Sequence, residues 1–459
     1  MWSAVLASAA LVACAGPSSE PAPGPAAGEA TPDERPNVVL LFSDQHRWHS
    51  MGHTTMPELA TPAMDRLATE GLSLRYAISS YPVCAPARAM LLTGRWPFQT
   101  GVTDNPKELD PGETTIADAF ASAGYVTGYI GKWHLGGRDA RPFGFEHSIV
   151  WDNTSNHWSS SYRVAGGRAG IENGYNATGM TDQALEFLEE HRSDPFLLIV
   201  SWNPPHPRLR DAPKEKRALY RHSDLSYRDN VGELWRSQAQ FRDYGGYHAH
   251  VSAVDDELAR VVAKLEELEL SRKTILVYTS DHGTMLGSHG YGVHKRLFYD
   301  EAIRVPFLVR WPERIPGGLD ATARDVLLGM PDIFPTLCGL ADVDVPESVE
   351  GEDLSALFLG QDAPAPTSAL LVHVDYEEEG AKGKRTPRFR GLRTHRHTLA
   401  VGADGTRWLF DNEADPMQRS NLAGDEGFLE VRASLEDELA AWLRKTSDPF
   451  PLGEPGSGD

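Results

Sequence analysis

The chain carries 459 residues, with 44 Lys and Arg against 65 Asp and Glu and a formal net charge of -21 at pH 7. That length supports one large domain with a buried core plus a smaller one. The acidic balance excludes a general nucleic-acid binder, so any anionic ligand must be drawn by a local cluster of positive groups rather than by the overall field.

Residues 1–13 are short, apolar and rich in alanine, and Leu11-Val12-Ala13-Cys14 is similar to a bacterial lipobox, whose cysteine is lipidated and becomes the mature N-terminus. Such a segment is too short to span a bilayer and reads as an export signal, although it lacks the usual Lys or Arg ahead of the apolar run. The expectation is a periplasmic or outer-membrane-anchored bacterial lipoprotein attached through Cys14. Residues 15–35 are dominated by Pro, Ala, Ser and Glu, cannot bury a core, and read as a tether.

An unbroken apolar run follows at residues 38–42, and similar runs recur at 125–130, 196–202, 274–279 and 305–311. Runs of this kind predict strands buried on both faces. Between them residues 115–123, 180–191 and 249–268 predict helices, the last with Val254, Leu258, Val261, Val262 and Leu265 at helical spacing. Residues 333–340 carry a further apolar helical pattern that puts Cys338 in the core. Strands alternating with helices predict an α/β fold with a mostly parallel sheet covered on both faces. Ligands of such sheets bind beyond the carboxyl ends of the strands. Asp44 follows the first run, Lys132 and His134 the second, His206 the third, and Asp281 and His282 the fourth.

After residue 360 the character changes. A Pro/Ala linker at 363–367 leads to short segments at 370–376, 389–394, 398–401 and 407–411, and then to a helix over 428–445. The expected organisation is a signal segment (1–14), a tether (15–35), a catalytic domain (36–365) and a small C-terminal subdomain (366–459).

The most informative stretch is Cys84-Ala85-Pro86-Ala87-Arg88, running into Leu91-Leu92-Thr93-Gly94-Arg95. A thiol with a pKa of about 8.5 is a modest nucleophile near neutrality. C-x-P-x-R alone is short enough to recur by chance, with Pro86 marking a turn and Arg88 a solvated charge. Followed by L-T-G-R, it resembles the signature of the sulfatase family, in which this cysteine is oxidised after synthesis to formylglycine (3-oxoalanine) by a dedicated formylglycine-generating enzyme. The hydrated aldehyde then offers two hydroxyls on one carbon, one to attack sulfur and the other to expel the sulfate. The resemblance covers nearly all of the chain after Arg35. It implies the alkaline-phosphatase/sulfatase-like architecture, a large mixed and mostly parallel sheet between helices. It also implies a small C-terminal α+β domain of antiparallel strands and a helix, matched by Arg390-Gly391-Leu392-Arg393, Leu409-Phe410-Asp411 and Asp415-Pro416.

A sulfate ester repels nucleophiles, and its oxygens need stabilisation as the alkoxide leaves; a divalent cation ringed by cationic side chains meets both demands. The resemblance implies Asp44, Gln45, Asp281 and His282 as metal ligands, together with the group at Cys84. The first pair is commonly Asp-Asp in the family, and Gln45 removes one negative charge. Oxygen ligands favour Ca²⁺, whereas the His ligand and fewer carboxylates are compatible with Mn²⁺ or Mg²⁺. Gly131-Lys132-Trp133-His134-Leu135-Gly136 is similar to the family segment in which the lysine holds a sulfate oxygen and the histidine acts on the hydrate. His206, within Asn203-Pro204-Pro205-His206-Pro207, and Lys295, within His294-Lys295-Arg296, match the groups that assist the leaving oxygen, and Arg88 steadies the hydrate. Singly, each reads as a surface charge or a hydrogen-bonded loop residue; their joint order at strand ends is the signal.

If Cys14 is lipidated and Cys84 converted, Cys338 is the remaining thiol and the fold cannot rest on a structural disulfide. His46, His49 and His53 form an H-x-x-H-x-x-x-H run of the kind zinc sites use on a helix, but Gly52 and the loop position point to structure or substrate contact instead. His289 reads as a loop organiser. Arg208, Arg210, Lys214, Lys216, Arg217 and Arg221 crowd the stretch after His206, and residues 382–396 add a second basic stretch. These are either solvated loops or holders of neighbouring sulfates or uronates of a polysaccharide. The expected activity is hydrolysis of a sulfate ester of a small molecule or oligosaccharide. The rivals are phosphonate monoester or phosphodiester hydrolysis on the same fold, and a non-catalytic sulfated-glycan-binding lipoprotein with Cys84 unconverted.

Overall fold

The structure is a computed structural model that describes Met1 and residues 35–151, 156–167, 169–315, 317, 324–374 and 387–452. Met1 and Arg35 aside, the expected signal segment with Cys14 and the expected tether lie outside the described residues, as does part of the second basic stretch. Among the described residues, eleven strands belong to the first three-quarters of the chain: β1 (Asn37–Ser43), β2 (Leu72–Ser73), β3 (Tyr76–Ile78), β4 (Val126–Lys132), β5 (His147–Trp151), β6 (Trp158–Val164), β7 (Ala169–Tyr175), β8 (Phe196–Ser201), β9 (Thr274–Ser280), β10 (Phe307–Arg310) and β11 (Leu327–Gly329). Nine of them form one sheet in the order β2-β10-β9-β1-β8-β4-β5-β6-β7. The inner five, β9 to β5, are parallel; β10 and β2 on one side and β6 and β7 on the other are antiparallel. The predicted mixed, mostly parallel sheet is therefore present, and the apolar run at 305–311 supplies its antiparallel β10.

Strands β1, β8 and β9 are buried along their whole length, which is why they read as unbroken apolar runs. Successive side chains of a strand point to opposite faces. Val38, Leu40 and Phe42 accordingly join one core and Val39 and Leu41 the other. The first core is closed by helices α2 (Cys84–Thr93), α3 (Ile116–Ser122) and α6 (Ile333–Ala341). The second is closed by α1 (Pro62–Glu70), α4 (Asn176–Glu190) and α5 (Gln238–Glu267). Helix α3 opens on a capping box, Thr115 accepting from the Ala117 amide while Asp118 accepts from the Thr115 amide. Cys338 is buried in α6, where burial pushes its thiol up to about 12. Among the described residues no helix is long and apolar enough to cross a membrane.

The last four strands, β12 (Ser368–His373), β13 (Phe389–Thr394), β14 (His397–Gly402) and β15 (Arg407–Asp411), form an antiparallel sheet in chain order. Helix α7 (Leu429–Lys445) packs Leu435, Leu439 and Leu443 into the same core as β13, β14 and β15. This sheet is fastened to the segment between β9 and β10 by a buried fork, Arg393 donating to both oxygens of Asp300 at 2.8 and 3.0 Å.

Helix α5 departs from the sequence expectation, which started it at residue 249. It begins at Gln238 and runs through Gly245-Gly246. These glycines are not breakers: a Cβ on Gly246 would stand 2.1 Å from the Leu209 carbonyl oxygen, so the helix is stripped there to let residues 206–211 lie against it. Gly246→Ala is expected to lower stability in urea unfolding by about 1–3 kcal/mol through overpacking, with displacement of the segment that carries His206.

Candidate active site

The Cys84 segment forms a helix because each of its unusual residues suits a helix terminus. Val83 is extended, Cys84 is the first helical residue, and the Ala85 amide donates to Asn105 Oδ1 at 2.9 Å. Pro86 is the third helical residue, among the donors that have no partner within the helix, so its missing N–H costs nothing. Four positions after Cys84, Arg88 projects from the same face. Gly94 ends the helix at φ 64°, its amide bonded to the Met90 carbonyl. The signature thus encodes the start, the facing pair and the stop of one helix, whose positive end faces the thiol.

The parallel register aligns the carboxyl ends of β9, β1, β8 and β4 side by side, pairing Ser43 with Ser280, Phe42 with Ser201, and Gly131 with Ser201. Arg88, 1% exposed, reaches across all four. Its Nη1 donates to the Lys132 carbonyl at 2.8 Å and Ser201 Oγ at 2.7 Å; its Nη2 donates to Asp44 Oδ2 at 3.1 Å and Asp281 Oδ2 at 3.0 Å. Lys132 Nζ adds a 2.6 Å bond to Asp44 Oδ2. The Cys84 Sγ lies 2.8 Å from Lys295 Nζ, 3.3 Å from His282 Nε2 and 3.8 Å from Asp44 Oδ1. His282 Nδ1 is tied to the Gly283 carbonyl at 2.8 Å. That bond fixes the proton on Nδ1 and leaves the Nε2 lone pair facing the centre.

Titration follows from these distances. Burial presses the Asp44 carboxyl upward, but Lys132, His206 and Arg88 outweigh it and hold its pKa well below the usual value. Asp281 shares Arg88 without a lysine of its own; burial and the Asp44 charge push it up. Burial and Asp44 also raise the Cys84 thiol, yet Lys295 and Lys132 bring it well below an ordinary thiol. Lys295 is penalised by burial but raised overall by Cys84, Asp44 and Asp281. His206 falls well below the ordinary imidazole value through burial and Lys132.

Asp44, Cys84, Asp281 and His282 each offer a ligand atom, all within 4.8 Å of one another, and all four are buried. Gln45 stands beside them at φ 74°, its Nε2 donating to Thr284 Oγ1 and the Val293 carbonyl, both at 3.1 Å. Its Oε1 is left buried without a partner. The predicted residues Asp44, Cys84, Arg88, Lys132, Asp281, His282 and Lys295 therefore meet in direct contact. His206 lies within electrostatic reach of Asp44, Lys132, Lys295 and Cys84. His134, at φ 59°, has a buried Nδ1 with no hydrogen-bond partner and no hydrogen bond to the other groups among the described residues.

Two members of the histidine run, His46 and His53, are structural. His46 is bonded to Tyr278 Oη at 2.7 Å and the Ser50 carbonyl at 2.9 Å, and His53 to Asp65 at 3.0 Å. His289 organises its loop, stacked on Tyr299 at 3.9 Å and bonded to Asn230. Most of the first basic stretch is neutralised: Arg208 pairs with Asp211, Arg210 with Asp243, Lys216 with Asp256 and Arg221 with Asp224. Sequence reading missed Ser201 and Asn105, lone polar residues whose partners in the centre are far away along the chain.

Comparison with known proteins gives the family. The sulfatase family profile matches residues 36–343, and a profile described as the N-sulphoglucosamine sulphohydrolase C-terminal region matches residues 287–445. The chain belongs to the sulfatase family of the alkaline-phosphatase-like superfamily and is a sulfuric ester hydrolase. It is 32% identical over 430 residues to the ulvan-active sulfatase of Formosa agariphila, covering 91% of this chain and 82% of that one. It is 30% identical over 483 residues to the endo-4-O-sulfatase of Bacteroides thetaiotaomicron, covering 91% and 93%. A solved Bacteroides thetaiotaomicron sulfatase from a locus for the metabolism of multiple glycosaminoglycans superposes with a TM-score of 0.82 at 28% identity, covering 91% of this chain and 98% of that one.

Two measurements on metal-free, unconverted protein check the electrostatics. Arg88→Ala strands two buried carboxylates and is expected to cost about 3–5 kcal/mol in urea unfolding. The ultraviolet thiolate band that disappears in Cys84→Ala should persist at about pH 7, where an ordinary thiol is only a few per cent thiolate.

Proposed function

We propose that the protein removes sulfate from a carbohydrate sulfate ester, with Cys84 matured to formylglycine by a formylglycine-generating enzyme and a divalent cation held by Asp44, Gln45, Asp281 and His282 beside it. The observation that carries this reading is the Cys84 Sγ at the focus of Lys295, His282 and Asp44, at 2.8, 3.3 and 3.8 Å. The donor set suits a cation: two carboxylates, the partnerless amide oxygen of Gln45 and an imidazole nitrogen with its tautomer fixed. Three oxygen-bearing ligands favour Ca²⁺ over Mn²⁺ and Mg²⁺. When bound, the cation supplies charge stabilisation, and the hydrated aldehyde supplies the hydroxyl nucleophile.

The chain's own residues divide the remaining work. Lys132 and Lys295 are the cations that receive the sulfate oxygens, and Arg88 holds Asp44 and Asp281 in place. Of the two groups assigned to the leaving oxygen, Lys295 carries its proton at neutral pH, whereas His206 is neutral and orients the alcohol. His134 offers a buried Nδ1 free to accept a proton. The carbohydrate half of the proposal draws on the relatives, whose names specify ulvan, a 4-O-sulfate and an N-acetylglucosamine 6-O-sulfate. Export as a periplasmic or outer-membrane lipoprotein anchored at Cys14 is part of the same reading and rests on residues 1–14 of the sequence.

Free-sulfate release from sulfated sugars and aryl sulfates, against a matched phosphodiester, tests the reaction in protein whose aldehyde at position 84 is confirmed by peptide mass. Sulfate esters should be the faster substrates, chelation should abolish release, and Ca²⁺ should restore it best. Unconverted Cys84→Ser should bind substrate but lose turnover, a deficit of at least about 10²-fold given the loss of a dedicated nucleophile. Full multiple turnover by that variant, or a preference for the phosphodiester, would refute the proposal.

A further inference from the structure

A cleft of about 380 Å³ adjoins the catalytic centre, lined by Arg208, Arg210, Asp211, Trp235, Asp243 and Val293. Its walls are built from segments that also carry the catalytic groups. Arg208 follows His206 by two residues; Val293 precedes Lys295 by two, and its carbonyl accepts from Gln45 Nε2 at 3.1 Å. Whatever is attached to a sulfate held between His206 and Lys295 has this cleft beside it.

One wall is an aromatic ring seated on backbone. The Trp235 indole is half-buried across the loop that leads to Lys295: a Cβ on Gly287 would stand 2.7 Å from Trp235 Cγ, and one on Gly292 3.3 Å from its Cζ2. Gly287 therefore leaves room for the indole that no other residue would. A rigid amphipathic ring gives contact area at little entropic cost.

The facing wall is strained. Arg208 sits at φ 102° and ψ 46°, a conformation a bulky side chain keeps only where its surroundings over-determine it. Those surroundings are the Leu209 carbonyl lodged against Gly246, the Asp211 carboxylate 3.1 Å from Arg208 Nε, and Asn156 Oδ1, which accepts from Nη1 at 3.3 Å. Arg210 donates to both oxygens of Asp243 at 2.7 and 3.1 Å. Each arginine thus stands beside a carboxylate, so donors and acceptors alternate along the wall and formal charge cancels. Such a wall matches hydroxyl groups, which both donate and accept, better than it matches a second anion.

We propose that this cleft is a subsite for the pyranose ring adjoining the sulfated residue of a glycan, the ring stacking on Trp235 and its hydroxyls hydrogen-bonding Arg208 and Asp211. It rests on the reading of the centre as a carbohydrate sulfatase. The Arg208 guanidinium is held at the cleft by Asp211 and Asn156, and the glycines under Trp235 set the depth at which the sugar ring sits.

Calorimetric titration of the full chain needs no turnover and tests the subsite directly. The probes are N-acetylglucosamine 6-sulfate, N-acetylgalactosamine 4-sulfate, and tetrasaccharides of ulvan, chondroitin 4-sulfate and heparan sulfate. The tightest tetrasaccharide should bind about tenfold or more above the monosaccharide sulfates, and Trp235→Ala should shrink that gap to about twofold, as loss of an aromatic anchor does. Trp235→Phe should keep most of the gap; Arg208→Ala should reduce it as well, with the urea midpoint of each variant measured beside the parent's to separate a lost contact from a displaced segment. No gap in the parent protein, or a gap untouched by Trp235→Ala and Arg208→Ala, overturns the subsite. A gap that responds to both variants in a protein that releases sulfate from no ester sinks the proposed activity and leaves the subsite standing.

Discussion

One buried guanidinium ties the ends of four parallel strands together. Arg88 bonds the carbonyl at the end of β4, the last hydroxyl of β8, and the carboxylates that follow β1 and β9. Removing one member of such a set is far more costly than forming the whole is rewarding, because a charge without its partner in a low-dielectric interior has no water to turn to. The consequence is positional: Asp44, Lys132 and Asp281 have their places fixed by the same group, and Cys84 stands one turn before it on α2. The Cys84 position, both carboxylates and Lys132 are located relative to each other by a single side chain.

The charges of the centre explain its titration. Three cationic side chains, Arg88, Lys132 and Lys295, face Asp44, Asp281 and the Cys84 sulfur, so the set balances when the sulfur is a thiolate. That is the reason the thiol is driven down despite complete burial. A protein with a net charge of -21 can therefore still accept an anion, because the local field around a buried site is set by the nearest groups and not by a distant acidic surface screened by salt.

Legibility in the sequence tracked burial. Strands β1, β4, β8 and β9 were readable because both faces are covered and most of their inner positions are apolar. Strands β6 and β7, polar and half exposed at the sheet edge, carried no such mark. Helix α2 was hidden by Pro86, a turn residue in most settings and a helix-start residue here; the first part of α5 was hidden by glycines whose purpose is contact with Leu209. The centre itself was legible because its residues follow strand ends as short motifs. What sequence could not supply was pairing across distance. The basic stretch after His206 reads equally as a solvated loop or an anion holder in sequence, because Asp243 and Asp256, which α5 presents to Arg210 and Lys216, lie far along the chain.

The burial of Cys84 also imposes an order of events. A side chain 1% exposed at the first turn of α2, with Asn105 closing the helix start and Lys295 against its sulfur, offers no purchase to the active site of another protein. On the formylglycine reading, the maturing enzyme must find this residue while the segment is still extended, so maturation and folding compete for the same stretch of nascent chain. The fraction of active molecules is then a kinetic partition, decided before the first native contact of α2 forms, and a variant that folds faster would yield more protein and less enzyme.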